Sequence, residues 1–321
     1  MSQHLSYARE RRPKTRNVPP RSVCSPYQIV TDKIIQALER GVVPWRKPWH
    51  TQEGPPCNAV SRRPYHGVNL LLLSLAHYQD HRWLTYKQAK ELGGFVRPGE
   101  SSSIAVFWKA WKIEDEEQKD GEVKRRQVSV LRFYNLFNVV QCEGLGLPEL
   151  EGDGRQEHER IAAAEALVRN VPDSPRLHEG DKQACYYPLA DVVSIPALSS
   201  FVSADSYYNT LFHELAHATG HESRLNRPGM RSIFGSRDYA REELVAELTS
   251  AFCCAMLGLD NSLLEDSASY IGGWLKTLHD DPRAIVVAAS QAQRATDYLR
   301  GNQVEPYTEP AESSEAKESA A

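Results

Sequence analysis

The sequence predicts an α+β protein of two domains, the first mixing short helices with strands and the second mainly helical. Three observations carry this. Charge divides the chain: residues 1–145 hold 23 Lys/Arg against 14 Asp/Glu and residues 146–321 hold 15 against 28, although the net charge is only −4. Apolar residues alternate along Ile104 to Lys109 and Val128 to Val140, but recur at helical spacing in Leu244, Leu248, Ala251, Phe252 and Ala255. The second half also holds His213-Glu214-Leu215-Ala216-His217 within an apolar helical stretch, a spacing that suits a metal ion.

A chain of 321 residues is long enough for two domains, each with its own core. Met1 to Arg21 is basic and polar, so no secretory signal is expected. Leu70 to Leu75 is too short to cross a membrane and reads as core. Six cysteines (24, 57, 142, 185, 253 and 254) form no C-x-x-C pair, which fits reduced thiols in a cytoplasmic monomer.

In chain order, residues 1–24 carry Arg9, Arg11, Arg12, Lys14, Arg16 and Arg21 among prolines and read as a disordered basic arm. The first domain is expected over 25–146. It opens with an amphipathic helix (Tyr27, Val30, Ile34, Leu38) stopped at Gly41. Pro44-Trp45-Arg46-Lys47-Pro48-Trp49 then places two indoles beside two cations. The theme recurs in Arg62-Arg63-Pro64-Tyr65, in Trp83 to Lys87 before a helix carrying Lys90, and in Trp108-Lys109. Bases stack on aromatic rings and cations follow phosphates, so this pattern points to single-stranded nucleic acid. The alternative is an indole that only anchors its loop to the core. Gly93 to Gly99 reads as a turn with flanking strands, and Ile113 to Gln127 as a mobile charged hairpin or loop. No helix-turn-helix, zinc-finger or basic-zipper pattern is present.

Residues 147–157 read as a linker, 158–301 as the second domain and 302–321 as a disordered Glu/Ser/Ala-rich tail. The second domain starts with a helix, Glu157 to Asn170, and a short hairpin, Ala184 to Tyr187 with Asp191 to Pro196. The metal helix follows, capped by Ser203, Asp205 or Ser206, with Gly220 suiting a left-handed end. Residues four apart share a helical face, so His213 and His217 can reach one ion while Glu214 serves as general base. These are the parts of a zincin-type hydrolase centre. A third histidine six residues on would mark one zincin class, but Ser223 stands there and His221 is displaced. A carboxylate from the helix around Arg241 to Phe252 is expected instead. Glu243 is assigned as third ligand, Glu247 as the acceptor orienting a ligand histidine, and Glu242 as the fallback. Tyr239, Tyr270 or Arg241 would stabilise the oxyanion. Two helices, Tyr270 to Leu278 and Arg283 to Arg300, close the domain.

Val42-Val43-Pro44-Trp45-Arg46-Lys47-Pro48-Trp49, Trp83 to Ala89, His213 to His221 and Arg241 to Leu248 together resemble the plasmid antirestriction proteins of the ArdC type. The resemblance covers about Tyr27 to Leu299. It implies an N-terminal single-stranded-DNA-binding domain and a C-terminal zincin-like metallopeptidase domain. It also implies protection of incoming plasmid DNA from host restriction during conjugation. One Zn²⁺ or another divalent ion per chain is expected, with an unidentified protein substrate in the recipient cell. The rival reading is a DNA-coating protein whose metal-bound domain is a non-catalytic scaffold. A nuclease is weaker, because no second carboxylate cluster accompanies the first.

Overall fold

The computed structural model describes residues 25–46, 54–114, 125–148, 156–228, 236–261 and 268–304. Lys47, Trp49, the basic arm, most of the linker and the middle of the charged run lie outside them.

The first domain begins with α1 (Pro26–Glu39), capped by the Ser25 hydroxyl accepting from the Gln28 N–H. Then come β1 (Cys57–Asn58), α2 (Val68–Ser74), β2 (Arg82–Leu84) and α3 (Tyr86–Glu91). Thr85 and Gln88 form a reciprocal capping box, which explains why Trp83 to Gln88 switches from strand to helix at Thr85. β3 (Phe95–Val96), β4 (Ser103–Glu114), β5 (Arg125–Asn138) and β6 (Cys142–Glu143) complete the half. Of the hairpin or loop expected for the charged run, the described flanks form the hairpin, continuing β4 and β5 with Glu114 paired opposite Arg125. One sheet has the order β1-β2-β5-β4; β3 and β6 pair separately. A side chain at Gly94 would clash with the Glu143 carbonyl, so only glycine allows that second pairing its close approach.

The second domain holds α4 (Glu157–Arg169) and β7 (Arg176–Glu179), β8 (Cys185–Tyr187) and β9 (Val192–Ile195) in the order β7-β9-β8. The expected hairpin is thus joined by β7, a strand whose exposed residues hid it from periodicity. The helices are α5 (Ala204–Thr219), α6 (Arg237–Leu257), α7 (Ala268–Asp280) and α8 (Ala284–Leu299). Ser203 caps α5. Gly220 is not left-handed: at φ −76° and ψ −8° the chain leaves α5 in right-handed turns. Two later arginines take the carbonyls that a left-handed glycine would otherwise help satisfy. The left-handed glycine is Gly258, at the end of α6.

Each domain keeps buried clusters of its own, but the two also share a core. One buried cluster joins Val30, Ile34, Leu38, Leu71 and Val106 to Leu244, Leu248, Phe252, Ile285 and Ala289. α6 therefore presents carboxylates on one face and leucines into the shared core on another. A second cluster, with Val193, Tyr208, Phe212 and Leu215, lies within the second domain. No helix among the described residues is long and apolar enough to cross a membrane.

Candidate metal centre and nucleic-acid interface

α5 places His213 and His217 on the same face, one turn apart. Their Nε2 atoms lie 3.2 Å apart. Glu243 of α6 brings Oε2 to 3.5 Å from His213 Nε2 and Oε1 to 3.6 Å from His217 Nε2. A tetrahedral ion with ligands at about 2.0–2.1 Å has ligand–ligand separations of roughly 3.4 Å, so the donor set fits one ion. These three form the group that could hold a metal among the described residues. Glu214 is buried on the same helix, 8% exposed, and its charge acts on His213.

Carboxylates also face the outer nitrogens, within hydrogen-bond distance only at His217. Glu247 Oε1 is 3.7 Å from His213 Nδ1, and Glu242 Oε1 is 3.4 Å from His217 Nδ1. Glu242, the fallback ligand, thus lies at the far side of an imidazole whose Nε2 faces Glu243. Buried Arg227 grips it, with Nε 3.1 Å from Oε2 and Nη2 2.5 Å from Oε1. Sequence reading passed Arg227 over; its one signal was a cluster of arginines in the Gly/Pro-broken loop just after the metal helix. Of the three oxyanion candidates, Tyr239 hydrogen-bonds Glu243. Arg241 turns instead to Asp281 at 2.9 Å, and the Tyr270 side chain lies outside the described residues.

Burial opposes a charge on His213, but Glu243, Glu247 and Glu214 outweigh it and raise the imidazole from 6.5 to about 9. Burial likewise works against the Glu243 carboxylate, but His213, His217 and Tyr239 hold it down at about 2. The metal-stripped centre is therefore cation-seeking. The stability from charged His213 is complete below pH 6.5 and is lost as pH rises through about 9. That from Glu243 is complete above about 4.5 and is lost as pH falls through about 2. Chelator-stripped protein should therefore melt at a higher temperature at pH 6 than at pH 9.5. Added divalent ion should close the gap, because it replaces the proton. Equal melting at both pH values without metal would contradict this account.

Comparison with known proteins places these features. Residues 25–137 match the model described as the N-terminal domain of anti-restriction factor ArdC. Residues 162–291 match the zincin-like metallopeptidase model. The crystal structure of metal-free antirestriction protein ArdC from plasmid R388 superposes with a TM-score of 0.70 at 37% identity, over 87% of this chain and 99% of that one. This chain belongs to the ArdC antirestriction family. The Mn(II)-bound form of the same R388 protein gives a TM-score of 0.69 at 35% identity, over 87% and 98% of the two chains. The y4eC protein of Sinorhizobium fredii is 37% identical, covering 86% of this chain and 92% of its own. A DNA primase TraC of Escherichia coli is 33% identical over 85% of this chain, which spans only 20% of that primase.

Within this ArdC-family chain the predicted nucleic-acid residues divide sharply. Trp45, Trp83 and Tyr65 are 0%, 2% and 8% exposed, so none can offer a ring face to a base. Trp45 packs edge-on against Trp274 at 5.0 Å, and its carbonyl accepts from Asn261 Nδ2. Trp83 packs edge-on against Tyr78, and Tyr65 lies tilted at 6.4 Å from Phe107. Arg46 is half-buried, whereas Arg62, Arg63, Lys87, Trp108 and Lys109 are exposed. Lys87 leans toward Glu91 at 3.5 Å.

Sequence reading missed Phe107, Phe133 and Tyr134, all exposed on the β4–β5 hairpin. The available signal was adjacency. Phe107-Trp108 and Phe133-Tyr134 are neighbours in strands, so each pair must send one ring to each face. The register puts Phe107 opposite Arg132 and Tyr134 opposite Ala105 on one face. Trp108 opposite Leu131 and Phe133 opposite Val106 share the other.

Proposed function

We propose that this protein protects incoming plasmid DNA from host restriction during conjugation, binding single strands through its first domain and cleaving a protein through its second. The observation that carries the hydrolytic part is the convergence of three ligand side chains, with contacts of 3.2–3.6 Å, beside a buried glutamate outside that group. Zn²⁺ is the expected ion, although the R388 relative is described with Mn(II). Held by His213, His217 and Glu243, it would supply a Lewis acid that polarises a carbonyl and acidifies water. Glu214 takes the proton from the attacking water on its carboxylate and delivers it to the leaving amine. Tyr239 steadies Glu243, and β8 offers the free edge of its sheet to an extended peptide.

The single-strand platform is the hairpin face where Phe107 and Tyr134 pack edge-on at 5.3 Å, with Arg132 opposite Phe107 and Lys109 next along. Arg62 and Arg63 precede Tyr65, whose ring touches Phe107. Stacked bases contribute about 1–3 kcal/mol each. Phe107→Ala and Tyr134→Ala should therefore each weaken oligonucleotide binding by roughly 5- to 150-fold in anisotropy titrations. Wild-type affinity in both variants would move the interface elsewhere. The function as a whole is tested by transferring unmodified DNA into a restricting host, with and without the protein. Escape equal in both arms would sink it.

A further inference from the structure

We infer that Arg227 is a positioning residue of the metal centre, acting through Glu242 on His217. The inference rests on the metal reading above, and its test is arranged to fail separately.

After α5 the chain turns back on itself, and the Arg227 N–H donates to the Gly220 carbonyl at 3.0 Å. That reversal drives the Arg227 side chain beneath the last turn of the metal helix, where it is 2% exposed. Its guanidinium is used on every side. Nη1 donates to Thr219 Oγ1 at 2.6 Å, and Nη2 to the Ala216 carbonyl at 2.7 Å. Nε and Nη2 donate to the two oxygens of Glu242. A buried guanidinium is tolerated only with such partners, so Glu242 must stay ionised and in place. The same Glu242 Oε1 stands 3.4 Å from His217 Nδ1. A carboxylate there keeps the proton on Nδ1 and leaves the Nε2 lone pair for the ion.

One side chain thereby ties α5, which supplies both histidines, to α6, which supplies the carboxylate. His213 lacks this device. Its Nδ1 neighbour, Glu247, stands at 3.7 Å and is 21% exposed, whereas the Arg227 side-chain bonds go to Glu242, Thr219 and Ala216. The structure therefore makes His217 the fixed ligand of the pair.

The test uses full-length protein stripped by chelator and titrated with Zn²⁺ and Mn²⁺ against a fluorescent chelator. The variants are Glu242→Gln, Arg227→Lys and their double. Losing an outer partner of a ligand histidine typically weakens metal binding about 10- to 100-fold, and each single should do so. Because the two act along one line, the double should be within about three-fold of the worse single. At saturating Co²⁺, the visible band of Glu242→Gln should shift, which a purely structural contact would not cause. Glu242→Asp keeps a charge for Arg227 but withdraws it from His217 Nδ1, and serves if the amide variant does not fold. Wild-type affinity and cobalt spectrum in the folded singles, or losses that multiply in the double, would overturn the inference. A wild type that binds no divalent ion would instead sink the metal reading beneath it.

Discussion

Glu214→Gln is expected to leave the ion bound and to stop the chemistry. Glu214 is no part of the three-ligand group, so the amide should hold divalent metal within a few-fold of wild type. The amide cannot accept the water's proton, and loss of a general base lowers rates by about 10²–10⁴-fold. Oligonucleotide binding should not change, because the β4–β5 hairpin belongs to the other domain. The decisive comparison is restriction escape at equal expression, wild type against variant. Loss of escape with metal and DNA binding intact means that the centre acts on a protein in the recipient cell. Full escape makes the DNA-binding half sufficient, and the centre is then a scaffold. The shared core gives that outcome a physical sense: an ion that pins α5 to α6 also stiffens the helix whose leucines meet the first domain.

What could be read from the sequence follows from how local each interaction is. His213 and His217 are one turn apart, and the spacing alone puts them on one face. Glu243 was within reach because α6 shows its own periodicity, so a carboxylate on the next helix could be named before any contact was known. Arg227 was out of reach, since its role depends on a chain reversal after Gly220 that no local propensity encodes. The same limit explains the tryptophans. Pro44-Trp45-Arg46-Lys47-Pro48-Trp49 has the composition of a stacking loop, and composition does not say which way an indole turns. The partner that decides it, Trp274, lies on α7 in the other domain. The hairpin aromatics were readable from adjacency, but the pattern of rings beside cations drew attention to indoles that turned out to be buried.

Trp45→Ala is the variant that separates these two readings of the aromatic residues. Trp45 is fully buried against Trp274 within the core that joins the domains. Its Nε1 finds no acceptor among the described residues, so the ring is held by packing and by the Asn261 bond to its carbonyl. Removing a buried tryptophan costs about 3–5 kcal/mol. In a chain of this size that corresponds to a fall in melting temperature on the order of 10 °C. Both domains should feel it, so far-ultraviolet melting and loss of metal binding on heating should move together. Well below the transition, oligonucleotide affinity should match wild type, whereas Phe107→Ala should show the reverse: an unchanged melt and weakened binding. If Trp45→Ala melted like wild type and bound DNA poorly, the indole would have to leave its pocket to meet a base. The shared core would then be a closed state that DNA opens, rather than the fixed joint between the domains.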